Sequence, residues 1–157
     1  IILFNVKEMK THKTSLVGKS LDDFVDICDI HNVERYRAEQ IFNWIYKNKI
    51  NDFESLKNIP KSFLKILKKQ TIIHPLTFVR STKSNSGLTN KFLLKTQDGS
   101  LIESVLMNEG SRTTLCLSTQ VGCALDCKFC ATAKMGFIDN LDSGEIVDQF
   151  LLISKMI

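Results

Sequence analysis

At 157 residues the chain is long enough for one ordinary domain or two small ones, and far short of the roughly 250 residues of a complete β/α barrel. Hydrophobic residues at 43% and charged residues at 24% describe a globular chain, which excludes a disordered charged tail and a disulfide-dense miniprotein. The net charge of +4 is unevenly spread: Ile41 to Lys95 hold eleven Lys and Arg against two acids, and the remainder holds ten against fifteen. That asymmetry points to a polyanionic partner for the middle of the chain, nucleic acid foremost, with a solvated lysine surface as the plainer alternative. The longest apolar runs, Ile1 to Phe4 and Phe150 to Ile153, are four residues each. A membrane span needs about 20 and a signal-peptide core about 7, so a soluble, cytoplasmic, monomeric protein without a membrane partner is expected.

The first 75 residues read as a helical unit, and 76–157 as a mixed one. Ser20 suits the N-cap of a helix that starts with Asp22 and Asp23 and places Leu21, Phe24, Val25 and Cys28 at helical spacing, stopping near His31 and Asn32. Cys28 reads as a small buried hydrophobe rather than a ligand. Ala38, Ile41, Phe42 and Ile45 mark the buried stripe of a second helix, and Phe53 and Leu56 a shorter one ended by Pro60. A further helix carries Phe63, Leu64, Ile66 and Leu67, with Lys61, Lys65, Lys68 and Lys69 around them as a basic face for phosphates. Beyond Pro75 the period changes to two. Ser81 to Asn90 reads as a polar loop, and Phe92 to Thr96 with Leu101 to Met107 as a hairpin whose turn contains Asp98-Gly99. A third strand runs about Thr113 to Ser118, and Asp142 with Glu145 three residues on opens a last helix bearing Ile146, Val147, Phe150 and Leu151.

Three of the five cysteines, Cys123, Cys127 and Cys130, form a C-x₃-C-x₂-C loop between a strand and that helix. Three thiolates in one short loop suit three irons of a 4Fe-4S cluster, which usually takes four cysteines, so the fourth iron would be left open to an external ligand. A zinc site that recruits Cys116, His12, His31 or His74 is the alternative, as are three unligated thiols.

Arg112 to Gly122 followed by that loop, then Ala131-Thr132, Gly136-Phe137, Asn140-Leu141 and Glu145-Ile146-Val147, closely resembles the radical S-adenosylmethionine RNA adenine methyltransferases of the RlmN type. The resemblance continues upstream through Arg37 to Ile41, Trp44, Phe53 to Leu64 and Ile102 to Leu106. Ala133 departs from the glycine that family members commonly carry after Cys-Ala-Thr.

The resemblance implies an α/β protein: an N-terminal helical accessory domain that binds RNA, a β-hairpin, then the first strand and helix of a partial radical-SAM β/α barrel. It implies a 4Fe-4S cluster held by Cys123, Cys127 and Cys130, with S-adenosylmethionine on the open iron and the Phe129 backbone near the cofactor's adenine. One cofactor molecule methylates a cysteine near the enzyme's C-terminus, a second yields a 5′-deoxyadenosyl radical that activates this methyl, and carbon 2 of adenine receives it. Glu103 is the implied proton acceptor. Cys116 is the implied second thiol, forming a transient disulfide with the methyl-carrying cysteine. The implied partners are 23S rRNA, tRNA and a reductant protein.

Glu103 shares a strand face with Leu101, Val105 and Met107, where the pattern wants apolar groups, so desolvation that favours a general base is expected; a face open to water is the alternative. Only 27 residues follow Cys130, too few to close a barrel, and none is cysteine. The expected reading is the N-terminal portion of a longer enzyme, inactive by itself. A carbon-8-methylating relative and a zinc-bound RNA-binding module without catalysis are the rival readings.

Overall fold

A computed structural model describes residues 13–125, 127–128 and 132–157. The helical part forms where caps and apolar spacing agree. Helix α1 (Leu21–Ile30) starts at a complete capping box: Ser20 Oγ accepts from the Asp23 N–H at 3.2 Å, and Asp23 Oδ2 accepts from the Ser20 N–H at 2.7 Å. It buries Phe24 and Cys28 against helix α2 (Tyr36–Tyr46), which buries Ala38, Ile41 and Ile45, and Phe24 meets Phe42 edge-to-face at 6.1 Å. A single 3₁₀ turn (Phe53–Ser55) is capped by Asp52, and Pro60 then precedes helix α3 (Lys61–Gln70), where a missing N–H costs nothing. Helix α3 buries Phe63 and Leu67 and leaves its four lysines outside. Two-residue strands β1 (Thr14–Ser15) and β2 (Thr71–Ile72) pair in parallel across the end of this unit.

The second part is a four-stranded antiparallel meander in the order β3 (Thr77–Lys83), β4 (Thr89–Lys95), β5 (Leu101–Glu109), β6 (Arg112–Cys116). The expected hairpin is β4–β5, registered with Lys95 opposite Leu101 and Leu93 opposite Glu103. Its turn passes through Gly99 at φ +93°, a conformation that favours glycine. The expected loop over Ser81 to Asn90 is shorter than read: Ser81, Thr82 and Lys83 pair with Phe92, Lys91 and Asn90. Strand β3 lies at the sheet edge with every residue exposed, so main-chain pairing holds it and no apolar alternation marks it in the sequence.

Strand β7 (Gln120–Gly122) leads into the cysteine loop and pairs antiparallel with β8 (Phe137–Asn140). Strand β8 is exposed throughout and was not anticipated. Helix α4 (Ser143–Ile153) follows behind the expected Asp142/Glu145 capping box. Its buried face differs from the expected one: Asp148, Gln149, Leu151 and Ile153 are inside and Phe150 is half-exposed.

Helix α4 joins three apolar clusters. Leu151 belongs to the helical core with Phe24, Ile41 and Phe63; Ile146 and Leu152 pack on Leu76, Leu94, Ile102, Val121 and Leu141; and Ile153 packs on Phe92 and Leu106. Its first turn lies so close to the end of the N-terminal strand that a Cβ on Gly144 would sit 2.5 Å from the Val17 carbonyl oxygen. The helical unit and the sheet are therefore packed through one shared helix. Among the described residues no helix is long and apolar enough to cross a membrane.

Candidate functional site

Packing on α4 decides which sheet face is buried. Along β5, Ile102, Ser104 and Leu106 point inward, so Leu101, Glu103, Val105 and Met107 point the other way. Glu103 is consequently half-exposed and ion-paired with Lys91 (Oε1 to Nζ 3.0 Å), and the desolvation expected for it is not found. The apolar residues that share its face are themselves half-buried or exposed, because nothing in the described part of the chain covers them.

Cys116 ends β6 directly opposite Val105 and is exposed. Val105 shares the Glu103 face, so the register puts Glu103 and Cys116 on one side of the sheet, two ladder positions apart along β5. Two further contacts hold this corner. Ser118 Oγ donates to the Glu103 carbonyl at 2.7 Å, and the Ser118 main chain is bound on both sides by the buried Gln149 amide.

The cysteine loop leaves β7 through Gly122, at φ +74°, where a Cβ would lie 1.8 Å from the Gly136 carbonyl oxygen. That same carbonyl accepts the Cys123 N–H at 3.0 Å. Glycine is thus required for the turn that starts the loop. Cys123 and Cys127 are half-buried free thiols, and the Leu125 N–H approaches Cys123 Sγ at 3.5 Å, the type of donor that iron–sulfur sites use to stabilise thiolate sulfur. Cys130 and Phe129 lie outside the described residues. Among the described residues no group of three or more His, Cys, Asp or Glu is gathered for a metal ion. Two of the proposed thiol ligands thus fit a cluster in kind and exposure. No hydrogen bond or ion pair among the described residues links them to Glu103 or Cys116.

The histidines considered for zinc are otherwise engaged where they are described. His74 contacts the Asp148 carboxylate through Nδ1 and the Ile50 carbonyl oxygen through Nε2 at 2.9 Å, and His31 packs against Phe63 with ring centroids 5.8 Å apart and the planes tilted by 51°. His12 lies outside the described residues.

Two charged regions lie elsewhere on the surface. Lys61, Leu64, Lys65 and Lys68 line a shallow hollow on α3, with Lys68 paired to Glu54. Asp98, Asp139, Asp142 and Glu145 line a cleft of about 190 Å³. Burial lifts the Glu145 carboxyl above the usual range, and repulsion from Asp142, Asp98 and Asp139 adds to that against the lowering effect of the Asp142 N–H.

Sequence reasoning missed Asp148 and Gln149. Two polar residues within the apolar stretch of α4 were the only available signal, and helical spacing alone had favoured Phe150 for the buried face.

Residues 14–73 match the family described as the ribosomal RNA large subunit methyltransferase N-terminal domain. The chain is 40% identical over 141 residues to the "Probable dual-specificity RNA methyltransferase RlmN" of Thermotoga neapolitana, covering 90% of this chain and 41% of that protein. It is likewise 40% identical over 143 residues to the protein of the same name in Clostridium novyi, covering 91% and 42%. A crystal structure of a radical SAM methyltransferase from Sphaerobacter thermophilus superposes with a TM-score of 0.85 at 39% identity, over 91% of this chain and 42% of that one. These likenesses bear out the resemblance read from the sequence, and the mixed α/β fold with it. The chain spans about two-fifths of the length of these relatives.

Proposed function

We propose that this chain, similar over nine-tenths of its length to RlmN-type RNA methyltransferases, supplies the RNA-docking unit, the cluster loop and two catalytic side chains of an enzyme that methylates carbon 2 of adenine in 23S rRNA and tRNA. The observation that carries the reading is the shared face of Glu103 and Cys116, on strands that lead within seven residues of Cys116 to the cysteine loop. A carboxylate and a thiol on one open sheet face can serve one bound adduct from one direction, the carboxylate at the substrate carbon and the thiol at the sulfur that carries it.

Cys123, Cys127 and Cys130 would hold the 4Fe-4S cluster, which when bound supplies the electron that cleaves S-adenosylmethionine. Glu103 accepts a proton at the substrate carbon, and its contact with Lys91 holds the carboxylate on that face. Cys116, exposed and unpaired, is the thiol that releases the product from the methyl-carrying cysteine. The lysine face of α3 binds RNA phosphates and leaves base choice to the rest of the enzyme. A reductant protein and a cytoplasmic setting belong to this reading, as does a partial β/α barrel begun by β7 and α4.

Iron and acid-labile sulfide analysis of the anaerobically purified complete enzyme that contains this chain, followed by methylation of rRNA and tRNA fragments, tests it. Expected are iron and sulfide in near-equal amounts and 2-methyladenine as product. Zinc without sulfide would replace this reading with a zinc-bound RNA-binding module, and 8-methyladenine would move it to the carbon-8 relatives.

A further inference from the structure

Gln149 is fully buried, yet three of its four hydrogen bonds go to main chain or hydroxyl groups of the corner that carries Glu103 and Cys116. Its Oε1 accepts from the Ser118 N–H at 2.8 Å and from Ser104 Oγ at 2.8 Å. Its Nε2 donates to the Ser118 carbonyl at 2.8 Å and to the Glu145 carbonyl at 3.3 Å. The side-chain amide thus pairs with Ser118 on both its N–H and its C=O, as a neighbouring strand would, just where β6 has ended and the ladder with β5 has run out.

Both residues anchored in the sheet lie near a proposed catalytic residue. Ser104 is also fully buried and directly follows Glu103, and Ser118 is two residues past Cys116. Ser118 Oγ then donates to the Glu103 carbonyl at 2.7 Å, which closes the circuit from α4 through both strands. Strand β6 is the sheet edge and Ser118 lies beyond its last ladder pair, so the Gln149 amide ties down the chain where strand pairing no longer does. A buried amide left unpaired is costly, so the arrangement is held from both ends.

We propose that Gln149 is a positioning residue, whose amide substitutes for a strand neighbour at Ser118 and thereby fixes the separation of Glu103 and Cys116. The catalytic half of this proposal rests on the roles given above to Glu103 and Cys116; the pairing half does not.

The test uses the full chain with Gln149→Leu and Gln149→Glu, read by residue-resolved amide exchange and by iodoacetamide labelling of individual cysteines. In Gln149→Leu the Ser118 amide should exchange roughly tenfold to a hundredfold faster, since two hydrogen bonds are lost, and Cys116 should label several-fold faster. Cys28, buried in the helical core, reports global unfolding and should stay protected. Gln149→Glu should show faster exchange than wild type at neutral pH, by less than the leucine variant because the carboxylate still accepts but cannot donate to the Ser118 carbonyl, and should regain wild-type exchange at acid pH, each compared with wild type at the same pH. There the protonated acid can again donate to the Ser118 carbonyl while it accepts from its N–H, a rescue that mere packing would not give. Unchanged Ser118 exchange in Gln149→Leu with Cys28 protected overturns the proposal. Should Cys28 become labelled, Ser104→Ala replaces that variant, and the same two readouts must rise there or the proposal fails.

In the methylating enzyme Gln149→Leu should lower kcat at least tenfold with KM for RNA unchanged. Faster exchange with unchanged kcat would overturn the positioning role. Faster exchange with lowered kcat, when Glu103→Gln and Cys116→Ala remain fully active, would instead overturn the roles assigned to those two residues.

Discussion

Asp148 and Gln149 are consecutive, wholly buried and polar, and they bind in opposite directions from helix α4. Gln149 reaches into the sheet corner at Ser104 and Ser118. Asp148 accepts the Leu76 N–H at 3.0 Å and contacts His74, whose other ring nitrogen lies 2.9 Å from the Ile50 carbonyl oxygen. Asp148 therefore fastens the segment where the helical unit passes into the sheet, and Gln149 fastens the sheet. Lys49 reinforces this joint by donating to Ser154 Oγ at 2.9 Å and lying over the Phe150 ring at 5.5 Å.

His74→Ala removes the partner of a buried carboxylate and should cost about 3 kcal/mol of stability. Asp148→Asn keeps an acceptor for the Leu76 N–H, so its loss should be smaller. Urea denaturation at neutral pH measures both. Equal stability of His74→Ala and wild type would show that the pair contributes nothing to the joint.

The cleft around Glu145 sets a pH dependence of known sign. Its carboxyl is held above the usual range by burial first and by Asp142, Asp98 and Asp139 next, so the folded state takes up the proton more readily than the unfolded one. The associated stability is present in acid and lost as pH rises through the raised value. Glu145→Gln keeps an acceptor for the Asp142 N–H without the charge, and should be as stable as wild type or more so at neutral pH. Asp23 acts in the opposite sense: hydrogen bonds from Ser20 hold its carboxyl low, so its contribution is present at neutral pH and lost in acid. Denaturation midpoints across acid and neutral pH should therefore converge for Glu145→Gln and wild type in acid and separate above it. A variant that is weaker at neutral pH would reverse the sign argued here.

Gly122→Ala tests the base of the cysteine loop. A methyl group there meets the Gly136 carbonyl oxygen at 1.8 Å, and the backbone at φ +74° is strained for any residue but glycine. The β7–β8 pair must open, and with it the bond from the Cys123 N–H to that carbonyl. Cluster content after reconstitution should fall well below wild type, while the buried Cys28 stays protected from alkylation. Full cluster loading would separate the loop's geometry from its ligand function. Cys127→Ala should abolish cluster binding outright and with it 5′-deoxyadenosine formation, whereas Cys116→Ala should spare both and accumulate protein cross-linked to RNA on a denaturing gel.

Local rules made some of the fold readable, and long-range packing hid the rest. Ser20 with Asp23, and Asp142 with Glu145, are three residues apart and cap their helices as read. The pairing of Thr14–Ser15 with Thr71–Ile72 joins distant two-residue segments that have no period to detect. Strands β3 and β8 bury nothing, so neither left a burial pattern in the sequence. The sequence of β5 favours the wrong face, because apolar Leu101, Val105 and Met107 outnumber Ile102 and Leu106, while the position of α4 decides which side is covered and leaves the Glu103 face open to water, the alternative of the two readings. For the same reason Glu103 and Cys116 could be singled out only separately. Their common side depends on the β5–β6 register, with Cys116 opposite Val105.

The lysine face of α3 gives a quantitative test of RNA docking. Lys61, Lys65, Lys68 and Lys69 recur at spacings of three and four or lie side by side, with Phe63 and Leu67 turned into the core, so most of them face outward within reach of successive phosphates. They are not equivalent. Lys68 is paired with Glu54, whose carboxyl that contact holds below the usual range, whereas no ion pair among the described residues engages Lys61, Lys65 or Lys69. Each phosphate neutralised by an unpaired lysine releases about one counterion, while Lys68 must first give up Glu54. Replacing all four by Gln should therefore flatten the dependence of log K on log salt by about three units of slope rather than four, and Glu54→Gln alone should steepen it by up to about one. Base selectivity should not change, because phosphate contacts carry no sequence information. Binding isotherms for folded rRNA and tRNA fragments at several salt concentrations read both effects. An unaltered slope in the quadruple variant would remove α3 from the RNA interface, and an unaltered slope in Glu54→Gln would show that Lys68 does not touch RNA.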